Sequence, residues 1–297
     1  MSDDGGDQSV VEVGQTMFGG MPKRLYSCTP TRLTTWLDCP RRYRWTYLDR
    51  PQPSRGAPWA HTGLGAAVHV ALASWWNLPV ARRTPERAAA LVAQGFPGDG
   101  YRDEAQRQRA CRLAAGWVYD YAQAQLAGPD GVPDPIGVER TVSSPTQTLV
   151  VSGRVDRIDL RDGRLVIVDY KTGRRPCDTD EARSSLALAL YAVAAARTLH
   201  HPAGRVELHH LPTGTTAVAE HDETSLTRKV KQAESIAYDA SRADAGYREG
   251  KQGDEYFEPR PSAGCSWCDF RQHCREGQAA APQIEPWSGL PEQVRDP

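Results

Sequence analysis

Two short stretches, GRVDRID at 153–159 and VDYKTG at 168–173, hold the residues whose types and spacing are best suited to chemistry. In a strand, residues two apart share a face, so Asp169 and Lys171 point together and Tyr170 points away. Asp156, one hairpin earlier, can face the same place from the neighbouring strand. Two carboxylates and an ammonium that converge on a sheet need partners if they are even half buried. A divalent cation such as Mg²⁺ is a natural partner for the carboxylates, and the lysine would then orient water or offset charge developing on a phosphate. The rival reading is a cross-strand ion pair of small energetic weight. Asp169 favours the first, because it ends the apolar run Leu-Val-Ile-Val and so lies at the edge of a core.

A second constellation is CSWCDFRQHC at 265–274, with the spacing C-x₂-C-x₅-C. It holds three of the chain's seven cysteines. Three sulfurs are one too many for a disulfide and one too few for the usual tetrahedral metal site. Cys28, Cys111 and Cys177 are scattered and are read as ordinary thiols. His69 is a lone histidine on a helical stretch, one turn after Gly65, where another backbone can come close.

These residues have to be positioned by surrounding elements. Thr29 and Pro30 suit the cap and first position of a helix carrying Leu33, Trp36 and Leu37, and Pro40 should break or restart it after Cys39. TGLGAAVHVALASWW is the clearest helix, with Leu64, Ala67, Val68, Ala71, Leu72 and Trp75 at helical spacing. Helices follow at TPERAAALVAQ and EAQRQRACRLAAGWVYDYAQAQLA. The joint GPDGVPDP then leads to strands at IGVERTV, TLVVSG, RVDRIDL and RLVIVDY, the last two joined by a hairpin at Asp162-Gly163. A buried helix at SSLALALYAVAAARTL, a strand pair at RVELHHL and TAVAEH, and a helix at TSLTRKVKQAESIAYDASRA complete an α/β order with a mixed sheet. Arg41, Arg42 and Arg44, interleaved with Tyr43 and Trp45, suit either a single-stranded nucleic-acid channel or a helix face with its aromatics in the core.

Taken in order, Gly65-Ala-Ala-Val-His69, Gly153-Arg-Val-Asp156, Asp169-Tyr170-Lys171 and Tyr191 resemble the PD-(D/E)XK nuclease superfamily, and within it the RecB-like exonucleases. DCPRRYRWTYL and CSWCDFRQHC resemble the split cysteine motif of its iron–sulfur members, the AddB-type nuclease domains and the CRISPR-associated exonucleases. The likeness runs from about Ser27 to Cys274. It implies a restriction-endonuclease-like mixed sheet core flanked by helices, with a helical N-terminal half and an Fe–S-stapled C-terminal tail. His69, Asp156 and Asp169 would hold Mg²⁺ or Mn²⁺, with the Tyr170 carbonyl as a further ligand. Lys171 would be catalytic together with Asp156, Asp169 and Tyr191. Glu139 matches a strand acid of relatives. The family's glutamine in the helix that carries Tyr191 is Ala187 here, which puts that helix's substrate-orienting role in question. The resemblance supplies Cys39 as the fourth ligand beside Cys265, Cys268 and Cys274, and favours a [4Fe–4S] cluster where sulfur chemistry alone leaves Zn²⁺ equally open.

Composition sets the remaining bounds. The chain has 297 residues, 39% hydrophobic and 25% charged, with a formal net charge of −1. It is a folded chain and no polycation, so nucleic acid would meet a local basic surface. Residues 1–24 read as a disordered tail. The nuclease domain is expected over 25–278, divided into a helical part at 25–130, a core at 135–249 and a cysteine-bearing tail at 250–278, with a flexible end at 279–297. No membrane span or signal-peptide pattern is seen, and a cytoplasmic setting with reduced thiols is expected. The expected function is metal-dependent exonucleolytic hydrolysis of DNA, from single-stranded ends, in repair or recombination. The alternative is a non-catalytic DNA-binding or scaffolding subunit. No Walker-type motif occurs, so ATP-driven unwinding would need a separate helicase subunit.

Overall fold

The computed structural model describes residues 25–128 and 134–294. The expected N-terminal tail and most of the Gly-Pro-rich joint lie outside the described residues.

A short strand β1 (Tyr26–Cys28) leads into helices α1 (Pro30–Asp38) and α2 (Pro40–Tyr47). Cys39 ends the first and caps the second, with extended φ/ψ of −166° and 111°, and Pro40 starts the new helix. This is the proline break expected from sequence. Then come α3 (Ala60–Trp76), α4 (Pro85–Gln94) and α5 (Glu104–Leu126). Thr84 caps α4 by accepting the Arg87 N–H, and Asp103 caps α5 by accepting the Gln106 N–H.

The sheet follows with β2 (Gly137–Pro145), β3 (Leu149–Arg161) and β4 (Arg164–Lys171). Helices α6 (Thr179–Ser184) and α7 (Leu186–Leu199) precede β5 (Ala203–His210) and β6 (Thr215–Glu220). Helix α8 (Glu223–Arg248) and the short α9 (Arg275–Ala280) complete the order. This is a mixed α/β sheet flanked by helices. TLVVSG and RVDRIDL, expected as two strands, form the single strand β3, because Gly153 continues the extended chain. Asp162 and Gly163 both have positive φ, 50° and 73°, as a two-residue hairpin turn requires.

Strand β3 organises the sheet. Along one side it pairs antiparallel with β2. On the other side it pairs parallel with β1 at Leu149–Val151 and antiparallel with β4 from Arg157 to Arg161. Strand β4 then pairs parallel with β5, and β5 antiparallel with β6. Helices α3, α4 and α5 bury Leu64, Leu72, Trp75, Val92 and Val118 in one cluster with Val166, Val168 and Tyr170 of β4. Helix α7 buries Leu188, Ala192 and Ala195 against Ile158, Ile167 and Val206 on the other face.

One expectation is corrected, and one open choice is narrowed. The region placed in a flexible end packs back on the helical layer, with Leu290 and Val294 fully buried. Of the two readings of α2, Tyr43, Trp45, Arg41 and Arg44 follow the one with its aromatics in the core, while Arg42 stays partly exposed. Tyr43 is fully buried and donates to Asp244. Arg41 reaches Glu276 at 2.6 Å and Asp254 at 2.7 Å, and Arg44 pairs with Asp49 at 3.1 Å.

Candidate active site

The β3–β4 ladder closes with the pair Arg157–Val168. Beyond it the strands part, and the next residues across the fork are Asp156 and Asp169. The Asp156 carboxylate replaces the missing ladder partner by accepting the Tyr170 N–H at 2.9 Å. On the other side of β3, the β2 register pairs Val138 with Arg157 and Arg140 with Val155. Glu139 therefore lies directly across from Asp156. Its φ of 46° falls in the left-handed region, which costs a non-glycine residue on the order of 1–2 kcal/mol. Three acids thus stand in a row on three adjacent strands. Helix α3 brings His69 over them, with Nδ1 3.2 Å from Asp156 Oδ1 and Nε2 3.2 Å from the Tyr170 carbonyl.

Lys171, two residues beyond Asp169, holds Nζ 2.6 Å from Asp169 Oδ2. That oxygen is buried, and its ion pair with Lys171 is its one close polar contact among the described residues. Tyr191 comes from α7 and lies over Gly153, where a Cβ would collide with its ring. This explains the glycine at the head of the GRVD stretch.

The electrostatics are those of a site short of positive charge. Burial, reinforced by the Asp156 charge, raises the Asp169 and Glu139 carboxyls, with Lys171 drawing Asp169 back only in part and Arg154 likewise for Glu139. Burial pulls His69 down, but its hydrogen bond to Asp156 and the surrounding carboxylates outweigh this and raise it. Both of its ring nitrogens face acceptors, which suits the doubly protonated imidazolium. Burial also pulls Lys171 down, and the Asp169 charge more than offsets it, so the ammonium is held above the ordinary lysine value.

The donor set fits a hard divalent cation. Single ligand atoms of His69, Glu139 and Asp156 lie within 4.8 Å of one another. The under-satisfied Asp169 oxygen and the Tyr170 carbonyl add two oxygens beside them. Imidazole and carboxylate are ligands Mn²⁺ accepts readily, and carboxylate and carbonyl suit Mg²⁺. The sequence named His69, Asp156, Asp169, Tyr170, Lys171 and Tyr191, and the fold brings all six to the fork. Glu139 is named through the family resemblance alone, because its place depends on the β2 register and the strand pattern gives it no signal.

The four cysteines line one cavity of about 300 Å³ with Arg41, Arg42, Trp45 and Arg271. Backbone N–H groups point at three of the sulfurs, from Arg42 to Cys39 at 3.5 Å, Ser262 to Cys265 at 3.4 Å and Gly277 to Cys274 at 3.3 Å. An Arg41 Nη1–H also reaches Cys274 Sγ at 3.7 Å. Burial raises the Cys268 thiol, and the Cys274 thiol donates to Glu276 at 3.5 Å. The sulfurs are not gathered within 4.8 Å of one another as His69, Glu139 and Asp156 are.

The buried charge network on the opposite face of the sheet was not foreseen. Arg157 is 1% exposed, makes a two-pronged pair with Asp159 at 2.7 Å and stacks on Trp76 at 4.2 Å. Glu207, Arg161 and His209 extend it. Trp76 also donates to the Tyr170 hydroxyl at 2.9 Å, tying α3 to the strand that bears Asp169.

Among solved structures, one from Eubacterium rectale named "Putative exonuclease" aligns with 83% of this chain and 87% of its own, at 10% identity and a TM-score of 0.46. The crystal structure of SSO0001 aligns with 86% and 88% respectively, at 13% identity and a TM-score of 0.37. Among curated proteins there is no match. The sequence matches the PD-(D/E)XK nuclease superfamily over residues 27–275, a span that takes in the fork, His69 and all four clustered cysteines. The chain belongs to the PD-(D/E)XK nuclease superfamily.

Proposed function

We propose that the protein is a Mg²⁺- or Mn²⁺-dependent deoxyribonuclease that degrades DNA from single-stranded ends, and that it is a RecB-like, iron–sulfur member of its superfamily. The observation that carries this reading is the row Glu139, Asp156 and Asp169 across the splayed strands, with His69 above it and Lys171 beside it. Asp156, Asp169, Glu139, His69 and the Tyr170 carbonyl would hold the cation. When bound, that ion supplies Lewis acidity at the scissile phosphate and lowers the pKa of attacking water.

The chain's own groups do the rest. Lys171, paired with Asp169 at 2.6 Å, would act as a fixed cation for the attacking oxygen and the developing phosphorane charge. Tyr191, held in place by Gly153, stands beside the same carboxylates to orient the phosphate. In the hydrolysis, water oxygen bonds to phosphorus, the bond to the leaving oxygen breaks, and that oxygen takes up a proton. The four-cysteine cavity would hold a [4Fe–4S] cluster, a reading supported by the resemblance. Work in DNA repair beside a separate helicase subunit is carried over from the same resemblance.

Ala187, in place of a polar residue one turn before Tyr191, feeds the rival reading of a non-catalytic DNA-binding subunit. End-labelled single strands and covalently closed circles, each with Mn²⁺, Mg²⁺ or chelator, separate the two. The proposal expects metal-dependent degradation of the linear strand only. Binding without cleavage under every divalent metal would establish the rival.

A further inference from the structure

Trp267 lies between two of the clustered cysteines, and its side chain is 36% exposed although the segment around it is anchored. Its ring stands 5.1 Å from Trp59 and 5.1 Å from His61. Trp59 is fixed from behind, its indole N–H donating to Asp269 at 3.1 Å, and Asp269 is further neutralised by Arg55 at 3.6 Å. His61 is fixed by Gly289, where any Cβ would collide with the imidazole. The result is a rigid aromatic group, partly open to solvent, that no structural task of the core explains.

The group is continuous with the metal-binding fork. His61, Gly65 and His69 follow one another at four-residue spacing on one face of α3. At Gly65 that face is met by Thr172, whose Oγ1 lies 3.0 Å from where a Cβ would stand. The loop after Lys171 therefore runs along α3 from His69 toward His61. It carries Arg174 and Arg175, both exposed and neither in an ion pair with a carboxylate among the described residues. Arg174 is near enough to His61 for its charge to act on the ring. From His61 to His69 the helix rises about 12 Å, or three to four nucleotides at a stacked spacing of ~3.4 Å, and fewer when the strand is stretched. Free cations beside fixed aromatic faces, within nucleotide reach of a phosphodiester-cleaving centre, match the chemistry of an unpaired nucleic-acid strand better than that of a protein partner.

We propose that Trp267, Trp59 and His61 form a stacking platform for unpaired bases of a single DNA strand, whose phosphates run past Arg174 and Arg175 to the centre at Asp156. This rests on the nuclease reading for its choice of substrate. It also gives the cysteine-bearing tail a second task, since the segment that holds Cys265 and Cys268 presents Trp267 to the strand.

The test is binding of a fluorescent oligothymidylate, followed by anisotropy in chelator so that no cleavage is needed. Trp267→Ala should weaken binding about tenfold, and Trp267→Phe should restore most of it, because stacking needs only an aromatic face. Unchanged thermal midpoints and iron content would separate loss of stacking from loss of the tail. Replacing Arg174 and Arg175 together by alanine should flatten the salt dependence of log Kd by about 1.4, at ~0.7 per single-strand phosphate. Affinity unmoved by Trp267→Ala together with an unchanged salt slope in the arginine variant would overturn the platform. A wild type that binds through Trp267 and cleaves nothing would leave the platform standing and remove the nuclease reading instead.

Discussion

His69 and Lys171 show how much rests on single side chains at this centre. The imidazolium of His69 already does part of a cation's work by facing Asp156 and the Tyr170 carbonyl at 3.2 Å each. A metal must displace its proton. Because the folded pKa of His69 is raised, its favourable contribution is complete below the unfolded value of ~6.5 and is lost as pH rises through the folded value. Glu139 and Asp169 are raised too, so the folded state binds more protons than the unfolded one through the carboxylate range. Stability of the metal-free protein should therefore fall, on account of this site, from mildly acidic to neutral pH. A bound dication reverses that. At about pH 8 and a hundredfold excess of Mn²⁺ over its Kd, the gain is about 2.7 kcal/mol, or about 5–10 °C in thermal midpoint for a domain of this class. At about pH 5.5 the gain should be much smaller. Calorimetry at the two pH values checks this, and an equal or larger shift in acid would refute it.

At the scale of elements, the site exists because β3 and β4 pair up to Arg157–Val168 and then diverge. Gly153 marks the same fork, since only a residue without a Cβ admits the Tyr191 ring. Gly153→Ala should cost about 1–3 kcal/mol by overpacking and displace Tyr191. In the Tyr191→Ala background the alanine should cost far less, so a double-mutant cycle by chemical denaturation should show coupling. Additive losses would mean that the ring does not rest on Gly153. Much of this scale was legible in the sequence. Pro40, Thr84 and Asp162-Gly163 carry backbone rules that act locally, and the apolar period of α3 admits one reading. The register of β2 was not legible, because a strand's partner is set by distant residues. Glu139 consequently gained its place opposite Asp156 only in three dimensions. Strand β1 escaped notice because three residues carry no period.

Over the whole molecule, the cysteine cavity joins the break between α1 and α2 to the tail, while Arg41, Glu276 and Asp254 brace the same junction. A cluster there would close a loop that spans most of the fold, worth about 5–6 kcal/mol on the chain-entropy estimate for a cross-link of that length. Cys268→Ser should lower the thermal midpoint and release iron together. Anaerobically prepared wild type should be brown and bleach on oxidation. A colourless wild type containing zinc, or a Cys268→Ser protein of unchanged stability, would contradict the clasp. The cysteine spacing draws the eye to the residues that line this cavity, but no pattern marks the Arg157–Asp159–Glu207 network. Alternating charges on a strand look the same in sequence whether they face water or, as here, lie beneath Trp76 and Tyr121.

The central claim is that Lys171 serves as a fixed cation beside a metal held by Asp156 and Asp169. Single-turnover degradation of an end-labelled strand at saturating Mn²⁺, by wild type and by Lys171→Ala, tests it most directly. The account predicts a rate at least ~10²-fold lower in the variant, with the Mn²⁺-induced rise in thermal midpoint retained. Equal rates in the two proteins would contradict it.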